Sequence, residues 1–240
     1  VGDNGQGKTN LLEALFVVAT LRSFRTARLA DLVSHGAAQA SLGARVTREG
    51  LTRVYEVTLA PGSRRVRLDG KAPRPLAHYF GAFNVVVFTP DDLQLPRGAP
   101  ADRRRFLDRA VFTRRPEHLG VVQDYDRVLR SRNAVLKQAG QERAPRAQVD
   151  AMLDVYDAQL GRLGVALASA RRALLADLAP PLAAAFAAIT RSGRAATARY
   201  ASAFAELEPE AATQQLRDGR ARDLAAQSTL AGPHRDDLVL

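Results

Sequence analysis

The apolar positions of this chain change period along its length, and each period predicts an element. After Asn10, Leu11, Leu12, Ala14, Leu15, Phe16 and Val18 recur at helical spacing. From Gln39 to Gly70 the period drops to two. Tyr55, Val57 and Leu59 alternate with Glu56 and Thr58, and Val66 and Leu68 alternate with Arg65 and Arg67. With turns at Ala60-Pro61-Gly62-Ser63 and Asp69-Gly70, this predicts an antiparallel meander. Phe83 to Phe88, containing Val85-Val86-Val87-Phe88, predicts a buried strand.

Helical spacing returns at Pro100, a residue suited to a first helical turn, with Phe106, Leu107, Ala110 and Val111 as its stripe. A second helix is expected over Glu117–Ala139 and a loop over Gln141–Gln148. A third helix from about Val149 is marked by Met152, Leu153, Tyr156, Leu160, Leu163, Leu167 and Ala170. Pro180-Pro181 is expected to break or kink it, with a short helix following to Ile189. A strand over Arg194–Tyr200 and one helix over Pro209–Arg220 complete the reading, which is of mixed α/β class.

The chain opens with Gly2, Asp3, Asn4, Gly5, Gln6, Gly7, Lys8 and Thr9, which fit GxxxxGK[ST] at every fixed position. The glycines let consecutive backbone N–H groups converge on phosphates, and the helix that follows adds its positive end. Lys8 is expected to reach the β- and γ-phosphates of ATP, and the Thr9 hydroxyl to complete a Mg²⁺ shell. A P-loop hangs from a buried strand, yet only Val1 precedes this one, and Asp236 to Leu240 ends without a cap. The sequence is therefore expected to be a fragment. A second, acidic metal site is also required. Either Val85–Phe88 supplies it through Asp91 or Asp92, or it lies beyond Leu240.

Charge changes the picture further. Thirty-five Lys and Arg stand against 25 Asp and Glu, a net +10, and only Lys8, Lys71 and Lys137 are lysines. Such a balance fits a polyanionic partner, or an Arg-rich composition in general. The charge concentrates between Asp102 and Lys137, where ten basic residues face five acids. Arg103, Arg104, Arg109, Arg127 and Arg130 are the candidate contacts to a phosphate backbone. The alternative is a solvated face whose arginines pair with their own acids. Arg103 to Arg105 are consecutive in a helix and cannot share one direction, so at least one is structural. Aromatics are sparse here, which argues against base stacking. Without cysteine, disulfides and thiolate chemistry are excluded. No run of about 18 apolar residues predicts a membrane span, and a cytoplasmic protein is expected.

Several of these segments resemble one family. Pro90-Asp91-Asp92, Gly98-Ala99-Pro100 and Arg103-Arg104-Arg105-Phe106-Leu107-Asp108 are similar to the signature of the RecF family, departing from it at Pro96, where an aliphatic residue is preferred. TLAGPHRDDL over 229–238, Thr9-Asn10-Leu11-Leu12-Glu13-Ala14 and Ser23-Phe24-Arg25-Thr26 resemble further elements of that family, in the same order along the chain.

The resemblance implies a P-loop ABC-type ATPase lobe related to SMC heads, with an antiparallel β subdomain and an inserted helical domain. Residues 1–115 and 221–240 are expected to form the lobe, and 116–220 the helical domain. It further implies ATP and Mg²⁺ as cofactors, with Thr9 and Asp91 as metal-side residues. ATP-dependent homodimers would bind DNA at duplex/single-strand gaps and, with RecR and RecO, load RecA, supporting replication and the SOS response. The signature loop and acidic Mg²⁺ strand are placed after Leu240. This fragment is therefore not expected to hydrolyse ATP efficiently by itself; weak, DNA-stimulated ATPase activity is expected of the full-length protein, and no residue here is assigned a catalytic role.

Of the four histidines, His35, His78 and His118 read as surface or turn residues. His234 reads either as part of a buried salt-bridged turn or as a nucleotide or dimer sensor. A nucleotide-stabilised scaffold for recombination partners is the alternative to the ATP-switched clamp. A small-molecule P-loop enzyme is disfavoured, since no substrate-binding pattern accompanies the loop.

Overall fold

In the computed structural model, residues 3, 5–81, 83–141, 145–191 and 193–240 are described. They fall into two compact units, 1–93 and 94–240.

The first unit carries helix α1 (Lys8–Thr20) and an antiparallel sheet of β1 (Ala40–Arg48), β2 (Leu51–Ala60) and β3 (Ser63–Leu68), in that order. Turn chemistry sets the register. Glu49 and Gly50 both have positive φ, the geometry that lets a two-residue hairpin follow strand twist. Asp69 and Gly70 repeat it after β3, where the Asp69 carboxylate also accepts from the Val54 N–H (2.8 Å) and Arg53 (2.7 Å). The meander thus forms as its period predicted. One sheet face buries Tyr55, Val57 and Leu59 with Val18, Leu21 and Tyr79. Tyr79 donates to the Val18 carbonyl at 2.7 Å, satisfying an orphan acceptor at the end of α1.

Two expectations fail here, the second only in part. Residues 83–88 form no strand: their backbone pairs with no other described segment, and Val86 and Phe88 are 96% and 75% exposed. An apolar run supplies side chains for a buried strand but not the neighbouring strand that must accept its hydrogen bonds. The buried side of α1 also matches the expected one only in part, fully at Val18 and partly at Ala14 and Phe16. Glu13, Val17, Val18 and Ala19 are buried, whereas Leu11, Leu12 and Leu15 are exposed.

The second unit holds α2 (Pro100–Arg114), α3 (His118–Gln141), α4 (Arg146–Thr190), α5 (Pro209–Asp218) and α6 (Arg220–Ala226), with β4 (Arg199–Ala201) pairing antiparallel to β5 (Asp237–Val239). α3 and α5 pack along α4. Leu160, Leu167 and Ala168 of α4 meet Tyr125 and Val128 of α3, Ala212 and Leu216 of α5, and Phe204. Gly161 and Gly164 permit this approach. A Cβ on Gly161 would sit 2.8 Å from the Pro209 carbonyl oxygen, and one on Gly164 2.9 Å from the Phe204 ring. Leu107 and Val111 of α2 pack with Leu174, Leu175 and Leu238.

Helix α4 runs unbroken through Pro180 and Pro181, against the expected break. The two missing N–H groups lie near the exposed C-terminal end of the helix, where water can replace the lost bonds. The helix also begins at Arg146, inside the expected loop; residues 142–144 lie outside the described ones. By length and composition alone α4 is apolar enough to cross a membrane, although its charged and polar positions include Asp157, Arg171 and Asp177. The expected single helix over Pro209–Arg220 divides at Gly219, and the strand expected over Arg194–Tyr200 shortens to β4.

Candidate nucleotide site and basic surfaces

Of the P-loop, Asp3 and residues 5–9 are described; Gly2 and Asn4 lie outside the described residues. Gly5 and Gly7 have φ of 84° and 76°, a region closed to most side chains. Among the described residues, chain neighbours apart, no atom lies within 4 Å of a Cβ built on either, so the requirement there is conformational and the space beside both glycines is open. Gly7 caps α1 and accepts the Leu11 N–H at 3.0 Å. Lys8 folds back over the loop and donates to the Asp3 carbonyl at 2.5 Å. Thr9 is exposed on the first turn, which carries no acidic residue. An exposed helix start with a lysine beside it and no opposing carboxylate on that turn can receive an anion.

The Ser23–Thr26 segment anchors this helix. Ser23 donates to the buried Glu13 carboxylate while its oxygen accepts the Arg25 and Thr26 N–H groups (2.9 and 3.0 Å). Arg25 reaches Glu13 (3.1 Å) and Asn10 (3.0 Å), so it is held one turn along from Lys8 and Thr9. Sequence reasoning noted the segment but not this role. Glu13, a lone acid among apolar neighbours, was the available signal. Asp92 is spent inside its own turn, accepting from the Thr89 N–H (2.7 Å) and hydroxyl (2.9 Å). The Asp91 side chain lies outside what is described.

In the second unit, the two most distinctive sequence segments meet. Arg103 makes a two-point ion pair with Asp237 (2.7 and 2.8 Å) and donates to the Gly98 carbonyl (2.7 Å). Arg104 donates to the Asp236 carbonyl at 2.7 Å. Arg171 of α4 grips Asp108 with two bonds (2.7 and 2.8 Å) and the Pro233 carbonyl with a third (2.8 Å), and Tyr200 donates to Asp236 at 2.5 Å. Burial opposes charge on Asp108, but hydrogen bonds from His118 and Arg171 outweigh it and hold the carboxyl below its ordinary range. The hydrogen bond from Arg103 likewise holds Asp237 low.

His234 sits in this turn with no ion pair among the described residues. Its Nε2 lies 3.0 Å from the Thr229 carbonyl, which can only accept, so Nε2 carries the proton and Nδ1 accepts from the Tyr125 hydroxyl at 2.8 Å. Burial pushes its pKa down, keeping the ring neutral. Gly232 is required alongside it: at φ 126°, a Cβ would lie 2.6 Å from the Tyr125 hydroxyl.

Arg103 and Arg104 therefore point into the chain, as one or more of the consecutive arginines had to. Arg109, Arg127 and Arg130 are exposed. Arg127 pairs with Asp124 of its own helix (2.8 Å), and Arg130 acts electrostatically on Asp126. Arg132 is fully buried between Asp157 (2.7 Å) and Asp223 (2.7 Å), and Arg220 also engages Asp157.

No family model matches the chain. Among curated proteins it is 40% identical over 254 residues to the DNA replication and repair protein RecF of Frankia alni, covering all of this chain and 67% of that protein. It is 42% identical over 248 residues to the protein of the same name from Myxococcus xanthus, covering 99% of this chain and 63% of that one. It thus spans about two thirds of the length of these relatives. Among solved structures it is similar to the recombination mediator protein RecF-ATPrS in the RecFOR pathway. That likeness has a TM-score of 0.85 at 23% identity, covering 99% of this chain and 65% of that one, and it establishes the fold. On the length and level of identity shared with its relatives, the chain belongs to the RecF family.

Proposed function

We propose that this chain is the nucleotide-binding part of an ATP-dependent, dimerising DNA clamp that acts in the cytoplasm in repair, recombination and replication. The observation that carries the reading is the P-loop: two positive-φ glycines, open space beside them, and Lys8 poised over an exposed helix start. The backbone N–H groups of residues 5–9 receive the phosphates, and Lys8 exchanges the Asp3 carbonyl for a β- or γ-phosphate oxygen. Thr9 and Asp91 are the residues that would hold magnesium together with phosphate oxygens, and the ion would offset phosphate charge.

Binding energy spent at this site favours the dimer, and the dimer aligns basic surface for DNA at duplex/single-strand gaps. RecR and RecO are the proposed partners in loading RecA, with a consequent part in the SOS response. Phosphate contacts are placed on Arg109, Arg127 and Arg130, with Arg103 and Arg104 supporting the surface through their ion-paired turn. An exposed pair such as Arg127–Asp124 is worth only about 0–1 kcal/mol and exchanges readily for a phosphate. The ATPase lobe of the whole protein is proposed as 1–115 with 221–240, and the helical domain as 116–220. No membrane is proposed as a partner; Leu160, Leu167 and Ala168 of α4 pack against α3 and α5.

The test is binding of full-length protein to a gapped duplex with and without ATP, across a salt titration, for wild type and Lys8→Ala. ATP should tighten binding in wild type only. Binding indifferent to both ATP and Lys8 would replace the switch with the scaffold reading.

A further inference from the structure

The outward face of the β1–β3 sheet is polar, basic and unpaired. Register assigns it Ser41, Arg45 and Thr47 of β1, Thr52, Val54, Glu56 and Thr58 of β2, and Ser63, Arg65 and Arg67 of β3. Val54 is its one large apolar side chain, so this face does not wait to be buried in a core. Neighbouring arginines are already engaged: Arg48 pairs with Glu49, Arg53 with Asp69, and Arg64 donates to the Leu21 carbonyl. Arg45, Arg65 and Arg67 are exposed and make no ion pair or hydrogen bond among the described residues. Glu56, directly across from Arg67, is the single acid on the face and offsets at most one of the three.

Geometry makes the three act together. Strand rise separates Arg65 from Arg67 by about 6.8 Å, and Arg45 lies two strands away, about 10 Å across the sheet. Thr58 lies between Ser41 and Arg65, and the hydrogen-bonded Thr47–Thr52 pair forms the row next to Arg45, hydroxyls of the kind that accompany arginine at phosphates. Glu56, Thr58, Arg65 and Arg67 line a shallow depression between β2 and β3. The face has no exposed aromatic ring on which a base could stack.

We propose that this sheet face is a second nucleic-acid contact, binding the phosphate backbone of duplex DNA through Arg45, Arg65 and Arg67 without reading sequence. It rests on the DNA-binding reading above and adds to it a surface on the nucleotide-binding unit itself, apart from the α2–α3 arginines. Charge complementarity selects the occupant: three exposed guanidinium groups against a single carboxylate, on a flat, hydroxyl-bearing face, suit a repeating anion.

The experiment compares full-length wild type with R45Q/R65Q/R67Q, using a fluorescent duplex and a salt titration. Thermal melts and ATP affinity serve as controls for folding, and both should be unchanged. Three lost phosphate contacts should reduce the slope of log affinity against log salt by about 2.7. Over a roughly fourfold rise in salt, wild-type affinity should then fall about 40-fold more than that of the variant. If wild type binds DNA and the variant binds with the same affinity and slope, the inference is overturned while the clamp reading stands. If wild type does not bind DNA, both fall. A variant with unchanged DNA binding but lost affinity for a polyglutamate peptide would overturn the assignment in favour of an acidic protein.

Discussion

At the scale of single residues, the second unit is organised by charges lodged in apolar stripes. Arg132 occupies a position on α3 that helical spacing shares with Val128, Val135 and Leu136, and it is fully buried against Asp157 and Asp223. Removing one partner of such a network leaves charge without compensation, at about 3–5 kcal/mol. Arg132→Met should lower stability by that amount in urea denaturation. Asp157→Asn should then cost less in the Arg132→Met background than in wild type, the mark of a coupled pair. Additive costs would mean that Arg132 and Asp157 act independently.

His234 gives a pH prediction of definite sign. Burial depresses its folded pKa below the unfolded value of about 6.5, so the unfolded chain binds the extra proton more readily. Its contribution is therefore complete above about pH 6.5 and is lost as pH falls through the folded pKa. Urea midpoints of wild type should decline on acidification from about pH 7.5 to 5.5, and His234→Gln should flatten part of that decline. Equal slopes for the two proteins would show that the ring does not titrate with folding.

Among elements, the tightest constraint is the seam between α4 and α5. A methyl at Gly161 would enter the space of Thr213 and the Pro209 carbonyl, both on α5. Gly161→Ala should cost on the order of 1–3 kcal/mol despite the gain in helix propensity, with Gly120→Ala, where space is open, as the neutral or stabilising comparison. In α4, Pro180 and Pro181 are carried inside the helix, so residues 182–190 are expected to exchange amide hydrogens faster than the packed residues before 175. Pro180→Ala with Pro181→Ala should slow that exchange; no change in mass-spectrometric uptake would show that the prolines do not limit this end.

These elements also show what was legible. The meander and the long helices were, because period-two and period-3.6 patterns reflect one buried face each. Segment 83–88 was not, because a strand needs a neighbour that its own residues do not encode. The run through Pro180-Pro181 was missed because proline's cost falls where the helix end is solvated. At the site, the P-loop could be read from spacing alone. The ion pair of Arg103 with Asp237 and the hydrogen bond of Arg104 to the Asp236 carbonyl could not, since they join residues more than 130 positions apart. A charge inside an apolar stripe, as at Arg132, Asp157 and Arg171, was the signal that such partners exist.

On the scale of the molecule, a net charge of +10 is divided between arginines that hold the structure and arginines that face solvent. Arg103, Arg104, Arg132, Arg171 and Arg220 belong to the first group, so total charge overstates what is offered to a polyanion. The account rests most on the loop that precedes α1. Its direct test is equilibrium titration of a fluorescent ATP analogue into full-length protein, wild type against Lys8→Ala, with magnesium present. A charge-assisted contact to phosphate is worth about 1.5–3 kcal/mol, so Lys8→Ala should weaken binding by about 10- to 150-fold while leaving the melting temperature unchanged. Equal affinities for the two proteins would contradict the assignment of this loop as the nucleotide site.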